Sequence, residues 1–156
     1  MKLVTYRLAS DDAGRLGAIV DAMVVDLARL GSVAGVPIPA TMLEFIDLGP
    51  DAVRVASELL ADAAGRYPVG CAIPLGSAHL LAPIPRPRKN IFGIGLNYTE
   101  HVAESAEALD TSPDLPREPV IFSKPPTSVI GPGDAIEHNA NITQQLDWEV
   151  ELGVIM

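Results

Sequence analysis

The sequence is poor in aromatic residues: Phe, Trp and Tyr make up 4% of it, against 48% apolar residues in all. Any core it builds must therefore be aliphatic, made mostly of Val, Leu, Ile and Ala. Basic residues are scarce too. Lys and Arg number 11 against 20 Asp and Glu, a formal net charge of −9. That excess of negative charge argues against nucleic acid or an anionic membrane as the main partner. Cysteine is nearly absent. Cys71 alone excludes an intramolecular disulfide and a Cys-based zinc site. It fits a reducing, cytoplasmic home and reads as a small buried hydrophobe rather than a catalytic thiol. No run of about 18 apolar residues occurs, so no membrane span is expected. The opening MKLVTYRLAS lacks the long apolar stretch of a secretory signal.

What is present is enough for one ordinary domain or two small ones in 156 residues. Residues 1–30 read as strands. Two apolar runs, Leu16 to Val20 and Met23 to Leu27, flank Asp21-Ala22 as a hairpin, although Asp-Ala is a weaker turn pair than Asn-Gly. SVAGVPIPA reads as a connection, and TMLEFIDLG as a short helix capped by Thr41 and stopped by Gly49. Residues 51–65 form the clearest helix, with Val53, Ala56, Leu59, Leu60 and Ala63 on one face. LLAPIPRPRKN, rich in proline, is an extended connector that cannot be a central strand. It places a boundary between residues 1–84, a small N-terminal domain, and residues 85–156. The short basic cluster Arg86, Arg88 and Lys89 reads as a solvated linker. Beyond it, IFGIGL predicts a buried strand, 98–108 a helix, 111–119 a polar loop and PVIFSKP a strand. SVIGPGDAIEH predicts a strand, a turn and a strand, and DWEVELGVIM a last strand.

Two stretches carry chemistry. On the last predicted strand, Asp147, Glu149 and Glu151 alternate with Trp148, Val150 and Leu152. Alternate side chains of a strand share a face, so Glu149 and Glu151 would project side by side. Two close carboxylates repel. Water, a Lys or Arg, or a hard divalent metal can relieve that. No Lys or Arg occurs between His138 and Met156, and oxygen-only ligands would favour Mg²⁺, Mn²⁺ or Ca²⁺ over zinc. In GIGLNYTEHVAE, His101 and Glu104 stand three apart on the predicted helix and face the same way. They form either a base oriented by a carboxylate or a pair that merely meets in solvent. Lys124, in IFSKPP, is a lone cation in a strand-like segment, either a surface residue or one that holds a substrate carboxylate. His138 has the spacing of an ordinary turn residue.

Taken in order, GIGLNYTEHVAE, PVIFSKPPTSVIGPGDAI and QLDWEVELGVIM resemble the fumarylacetoacetate hydrolase family, over about residues 91–156. The nearest likeness is to its smaller members, the acylpyruvate hydrolases and the 2-hydroxyhepta-2,4-diene-1,7-dioate isomerases. The resemblance implies an α+β fold: a small N-terminal α/β region, then the start of a mixed β-sandwich roll. It implies that Glu149 and Glu151 bind Mg²⁺ or Mn²⁺, with Ca²⁺ as an alternative. His101 and Glu104 would be the water-activating dyad on a lid, loop 105–118 would close over the site, and Lys124 would lie at the substrate. The implied activity is C–C bond hydrolysis of acylpyruvate-type or fumarylpyruvate-type 1,3-dioxo acids through an enolate held by the metal. Keto–enol isomerisation or decarboxylation of 2-oxo acids in aromatic degradation is the alternative. The implied assembly is a homodimer. The family's third metal carboxylate comes from well beyond the Glu-x-Glu strand, so the chain is expected to be the N-terminal part of a larger protein, or else a non-catalytic remnant.

Overall fold

A computed structural model describes residues 1–8, 13–109 and 114–156. The first region is a five-stranded antiparallel sheet backed by helices. Strands β1 (Lys2–Arg7), β2 (Arg15–Val20) and β3 (Met23–Asp26) follow one another, then β4 (Ala72–Pro74) and β5 (His79–Leu80), in the order β4-β3-β2-β1-β5. The β2–β3 hairpin turns where predicted, pairing Val20 with Met23. Asp21 takes the left-handed conformation that such a tight turn needs, at φ 52°. Asp tolerates that region better than most residues with a side chain.

The sequence reading kept residues 1–30 as strand, with the second run of the hairpin through Leu27, and made 32–40 a connection. The structure instead places helix α1 over Leu27–Ala34. Its start is set by Asp26, whose carboxylate accepts from Arg29 N at 2.9 Å, and Gly35 ends it at φ 71°. Asp26 is therefore strand end and helix cap at once. Its Oδ2 also accepts from the Tyr6 hydroxyl at 2.9 Å and faces the guanidinium groups of Arg15 and Arg29 at 3.5 and 3.6 Å. Burial, and then the Asp26 charge, push the Tyr6 phenol well above its ordinary pKa.

Helix α2 (Met42–Asp47) opens as predicted on Thr41, in a reciprocal box. Glu44 N donates to Thr41 Oγ1 at 3.4 Å, and Thr41 Oγ1 donates to Glu44 Oε2 at 2.7 Å. Gly49, at φ 71°, links α2 to α3 (Pro50–Ala63). The buried stripe of α3 is Ala52, Ala56 and Leu59, while Val53 is exposed. Of the predicted face, Ala56 and Leu59 are buried and Leu60 and Ala63 pack against the core, while Ala52 takes the inward place expected of Val53. Leu16, Ala18, Leu27, Met42, Phe45, Ala52 and Ala56 form one apolar cluster. Val25, Leu30, Leu59 and Cys71 form a second. Each fully buried large side chain here contributes about 1.5–3 kcal/mol. Cys71 is free and buried, as expected.

The proline-rich connector is irregular, yet it is tied to the first region. Thr5 Oγ1 donates to Pro83 O at 2.6 Å, and Ile84 packs against the main cluster. Arg88, expected in a solvated linker, forms a two-pronged pair with Asp47, both contacts at 2.7 Å. That pairing holds the Asp47 carboxyl below its usual range.

Beyond residue 90 the order thins. Strands β6 (Ile91–Gly95) and β7 (Val120–Lys124) form a two-stranded antiparallel sheet, with helix α4 (Thr99–Leu109) between them in sequence. Strand β6, expected to be buried, has Ile91, Phe92 and Ile94 exposed. SVIGPGDAIEH does not form a strand pair: a short 3-10 turn, Pro126–Ser128, is followed by bends without strand. DWEVELGVIM is not a strand, and Trp148, Val150, Leu152 and Val154 face solvent. The reason is physical. A strand's backbone groups need a neighbouring chain, and among the described residues none pairs with this segment. The polar loop predicted at 111–119 falls partly, at 111–113, outside the described residues. Of the lid expected at 105–118, residues 105–109 belong to α4. No helix of the described residues is long and apolar enough to cross a membrane.

Candidate functional site

The site is best built from Gly93. It faces Phe122 across the β6–β7 ladder, and the Phe122 ring lies where a β-carbon on Gly93 would stand. Any larger residue would push the ring away. The Lys124 ammonium lies 5.5 Å from the centre of that ring, within cation–π range. From there Lys124 Nζ reaches Glu149 Oε2 at 3.2 Å. The two partners lie 25 residues apart in sequence, and their side chains are 54% and 55% exposed. With no strand at 147–156, the expected side-by-side pair of Glu149 and Glu151 loses its basis; Glu149 takes a cation, and that cation comes from a distant strand. Glu151 is exposed and, among the described residues, has no ion pair. Asp147 Oδ1 accepts from Trp148 N at 2.8 Å.

Helix α4 buries Val102 and Ala106, four residues apart, and leaves His101 and Glu104 exposed. The entry to the helix is a local turn. Leu96 takes φ 56°, Asn97 Nδ2 donates to Ile94 O at 2.7 Å, and Val102 N donates to Tyr98 O at 2.9 Å. Among the described residues no hydrogen bond joins His101 to Glu104. Glu100, beside His101, sits below its ordinary pKa because its own backbone N–H and the Thr99 hydroxyl donate to it. His138 Nε2 lies 2.8 Å from Thr143 O in a surface turn.

The structure thus brings Lys124 to Glu149. His101, Glu104 and Glu151 are not joined to them by any hydrogen bond or ion pair among the described residues. The donor chemistry fits a hard divalent ion, since Glu149 and Glu151 offer only carboxylate oxygens. Among the described residues, no group of three or more His, Cys, Asp or Glu side chains converges to hold one. Two cavities lie elsewhere, in the first region. One of about 560 Å³ borders Asp21, Met23 and Tyr67, and one of about 400 Å³ borders Val33, Leu59 and Arg66. None of the five sequence-predicted residues lines either. Sequence reasoning named Lys124 and Glu149 separately but missed their pairing and the Phe122 support. The signal available was Lys124 itself, the last Lys or Arg in the sequence.

Comparison with known proteins then supplies context. Residues 90–156 match the family described as fumarylacetoacetate (FAA) hydrolase C-terminal. The chain is 35% identical over 125 residues to the oxaloacetate tautomerase YisK of Bacillus subtilis (strain 168), covering 76% of this chain and 39% of that protein. It is 33% identical over 145 residues to the mitochondrial oxaloacetate tautomerase Fahd2a of Rattus norvegicus, covering 93% of this chain and 39% of that one. The crystal structure of a protein described as HpcE from Mycobacterium smegmatis superimposes with a TM-score of 0.53 at 24% identity, over 90% of this chain and 41% of that one. At that identity the likeness speaks for the fold alone. The chain spans 39% of the length of both relatives.

Proposed function

Because the chain belongs to the fumarylacetoacetate hydrolase family, we propose that it serves keto–enol tautomerisation of a small 2-oxo dicarboxylic acid of the oxaloacetate type. The observation that carries this reading is that relatives at 33–35% identity are oxaloacetate tautomerases. In this reading the Lys124 ammonium is a point charge that holds a substrate carboxylate. His101, exposed on α4, takes a proton from the carbon next to the oxo group and passes it to the oxo oxygen to give the enol, and in the reverse direction it carries the proton back from that oxygen to the carbon. Glu104 orients the imidazole once the helix closes on the substrate. Glu149 and Glu151 would hold Mg²⁺ or Mn²⁺, which when bound supplies positive charge for the enolate oxygen.

Hydrolysis of the C–C bond of an acylpyruvate is the second reading, favoured by the hydrolase description of the matched family. It asks His101 to take its proton from water instead. Tautomerisation ranks first because it needs one mobile proton and no ordered water. The buried, unpaired Cys71 fits a reducing compartment.

The test is to follow decay of the enol absorbance of oxaloacetate with Mg²⁺ or Mn²⁺, beside an acylpyruvate in parallel. The protein should accelerate the first above buffer and above free metal. His101→Ala should lower the rate by roughly 100-fold or more, the usual scale of general acid–base catalysis. Glu149→Ala and Glu151→Ala should abolish the metal dependence. Rates equal to the parent in both glutamate variants would sink the reading.

A further inference from the structure

Glu149 is the residue proposed to hold a divalent ion, and the structure shows which other cation its carboxylate takes. Lys124 Nζ sits at 3.2 Å from it. No other Lys or Arg is near in sequence: residues 125–156 contain Asp134, Glu137, Asp147, Glu149 and Glu151 and no Lys or Arg. We propose that Lys124 and the divalent ion are alternative counter-ions of Glu149, so that metal binding displaces the ammonium and delivers it to the carboxylate of the incoming acid. This rests on the reading of Glu149 and Glu151 as the divalent ligands. It goes beyond that reading by coupling the two binding events through one side chain.

Four points support it. The pair is a single contact at the end of a flexible side chain, not a rigid two-pronged fork, so it is easily exchanged. Both partners are about half exposed, where such pairs contribute little and separate readily. A divalent ion on Glu149 and Glu151 would repel an ammonium 3.2 Å from the same oxygen, so the two cannot share it cheaply. The Phe122 ring lies 5.5 Å from Nζ while the ammonium is paired with Glu149, so the ring holds Lys124 beside the site independently of that pair. By linkage, whatever draws Lys124 off Glu149 must favour metal, and metal must favour whatever binds Lys124.

The experiment is a titration of the protein with Mn²⁺, reading free Mn²⁺ by electron paramagnetic resonance, in the parent and in Lys124→Met, Glu149→Gln, the double variant and Lys89→Met. Lys89→Met removes an exposed linker charge and controls for overall charge. Lys124→Met should bind Mn²⁺ about two- to fivefold more tightly than the parent, the scale of an exposed ion pair lost from the competition. Lys89→Met should match the parent. Glu149→Gln should weaken binding and erase the gain in the double variant. Circular dichroism checks the β6–β7 pair, and Lys124→Gln replaces the Met variant if that pair is disturbed. If Lys124→Met binds no more tightly than the parent while Glu149→Gln still weakens binding, the counter-ion proposal is wrong and the ligand reading stands. If Glu149→Gln binds as the parent does, the ligand reading fails and the proposal fails with it.

Discussion

The two regions of this molecule differ in how their elements are partnered. Residues 1–84 hold five paired strands with helices across them, and Leu16, Leu27, Val24, Val25 and Phe45 are fully buried. Among the described residues, 90–156 hold two paired strands and one α-helix, with apolar side chains from Phe92 to Leu152 in water. Yet every residue assigned chemistry lies in the second region. The packed core and the residues proposed to carry chemistry therefore lie in different stretches of the chain. The first region supplies packing, and the second supplies exposed charge on thinly supported elements, which is where adaptable sites tend to lie.

The sharpest way to break the comparison is Phe45→Ala. Phe45 is 2% exposed at the centre of the main cluster, so its loss should cost about 3–5 kcal/mol. Urea unfolding followed by far-ultraviolet circular dichroism measures it, and a loss below about 1 kcal/mol would mean that the cluster is not the core.

Next comes Asp26→Ala, which removes the cap of α1 and leaves the Tyr6 hydroxyl without its partner. The expected cost is roughly 2–4 kcal/mol, the sum of a lost cap and an unpaired buried hydroxyl. Tyr6 then predicts a pH dependence. Its folded pKa is raised, so its contribution is fully present below about pH 10, the unfolded value, and is lost as pH climbs from there. The slope should reach at most about 1.4 kcal/mol per pH unit. Tyr6→Phe should flatten it, and an unchanged alkaline slope would remove Tyr6 as its source.

The smallest effect should come from the second region. Trp148 is the sole tryptophan and is 79% exposed. Trp148→Ala should change stability by no more than about 0.5 kcal/mol. In the parent, Trp148 emission should already be that of a solvated indole and readily quenched by acrylamide. A blue-shifted, protected emission would show this segment covered and would close the gap between the two regions.

Legibility from sequence followed the range of the interactions. The Thr41 cap, the hairpin at Asp21-Ala22 and helices α2, α3 and α4 were all readable, because each depends on residues a few positions apart. Helix α1 was missed because its cap, Asp26, was read as part of a strand, and nothing local says that one residue ends the strand and opens the helix. The candidate residues were legible as types in an order. Their grouping was not: Glu149 lay in a stretch without a basic neighbour, and its partner came from β7.

By itself, then, the sequence determined the aliphatic core, the acidic charge, the local caps and turns, and the presence of His101, Lys124, Glu149 and Glu151 in family order. Only the tertiary structure decided that α3 turns Ala52 rather than Val53 inward, that Arg88 closes on Asp47, that the last ten residues form no strand, and that Lys124 answers Glu149. A helix satisfies its backbone from its own next turn, so its sequence suffices to announce it. Strands, buried faces and ion pairs are completed by residues far away along the chain, and a window of sequence does not contain them.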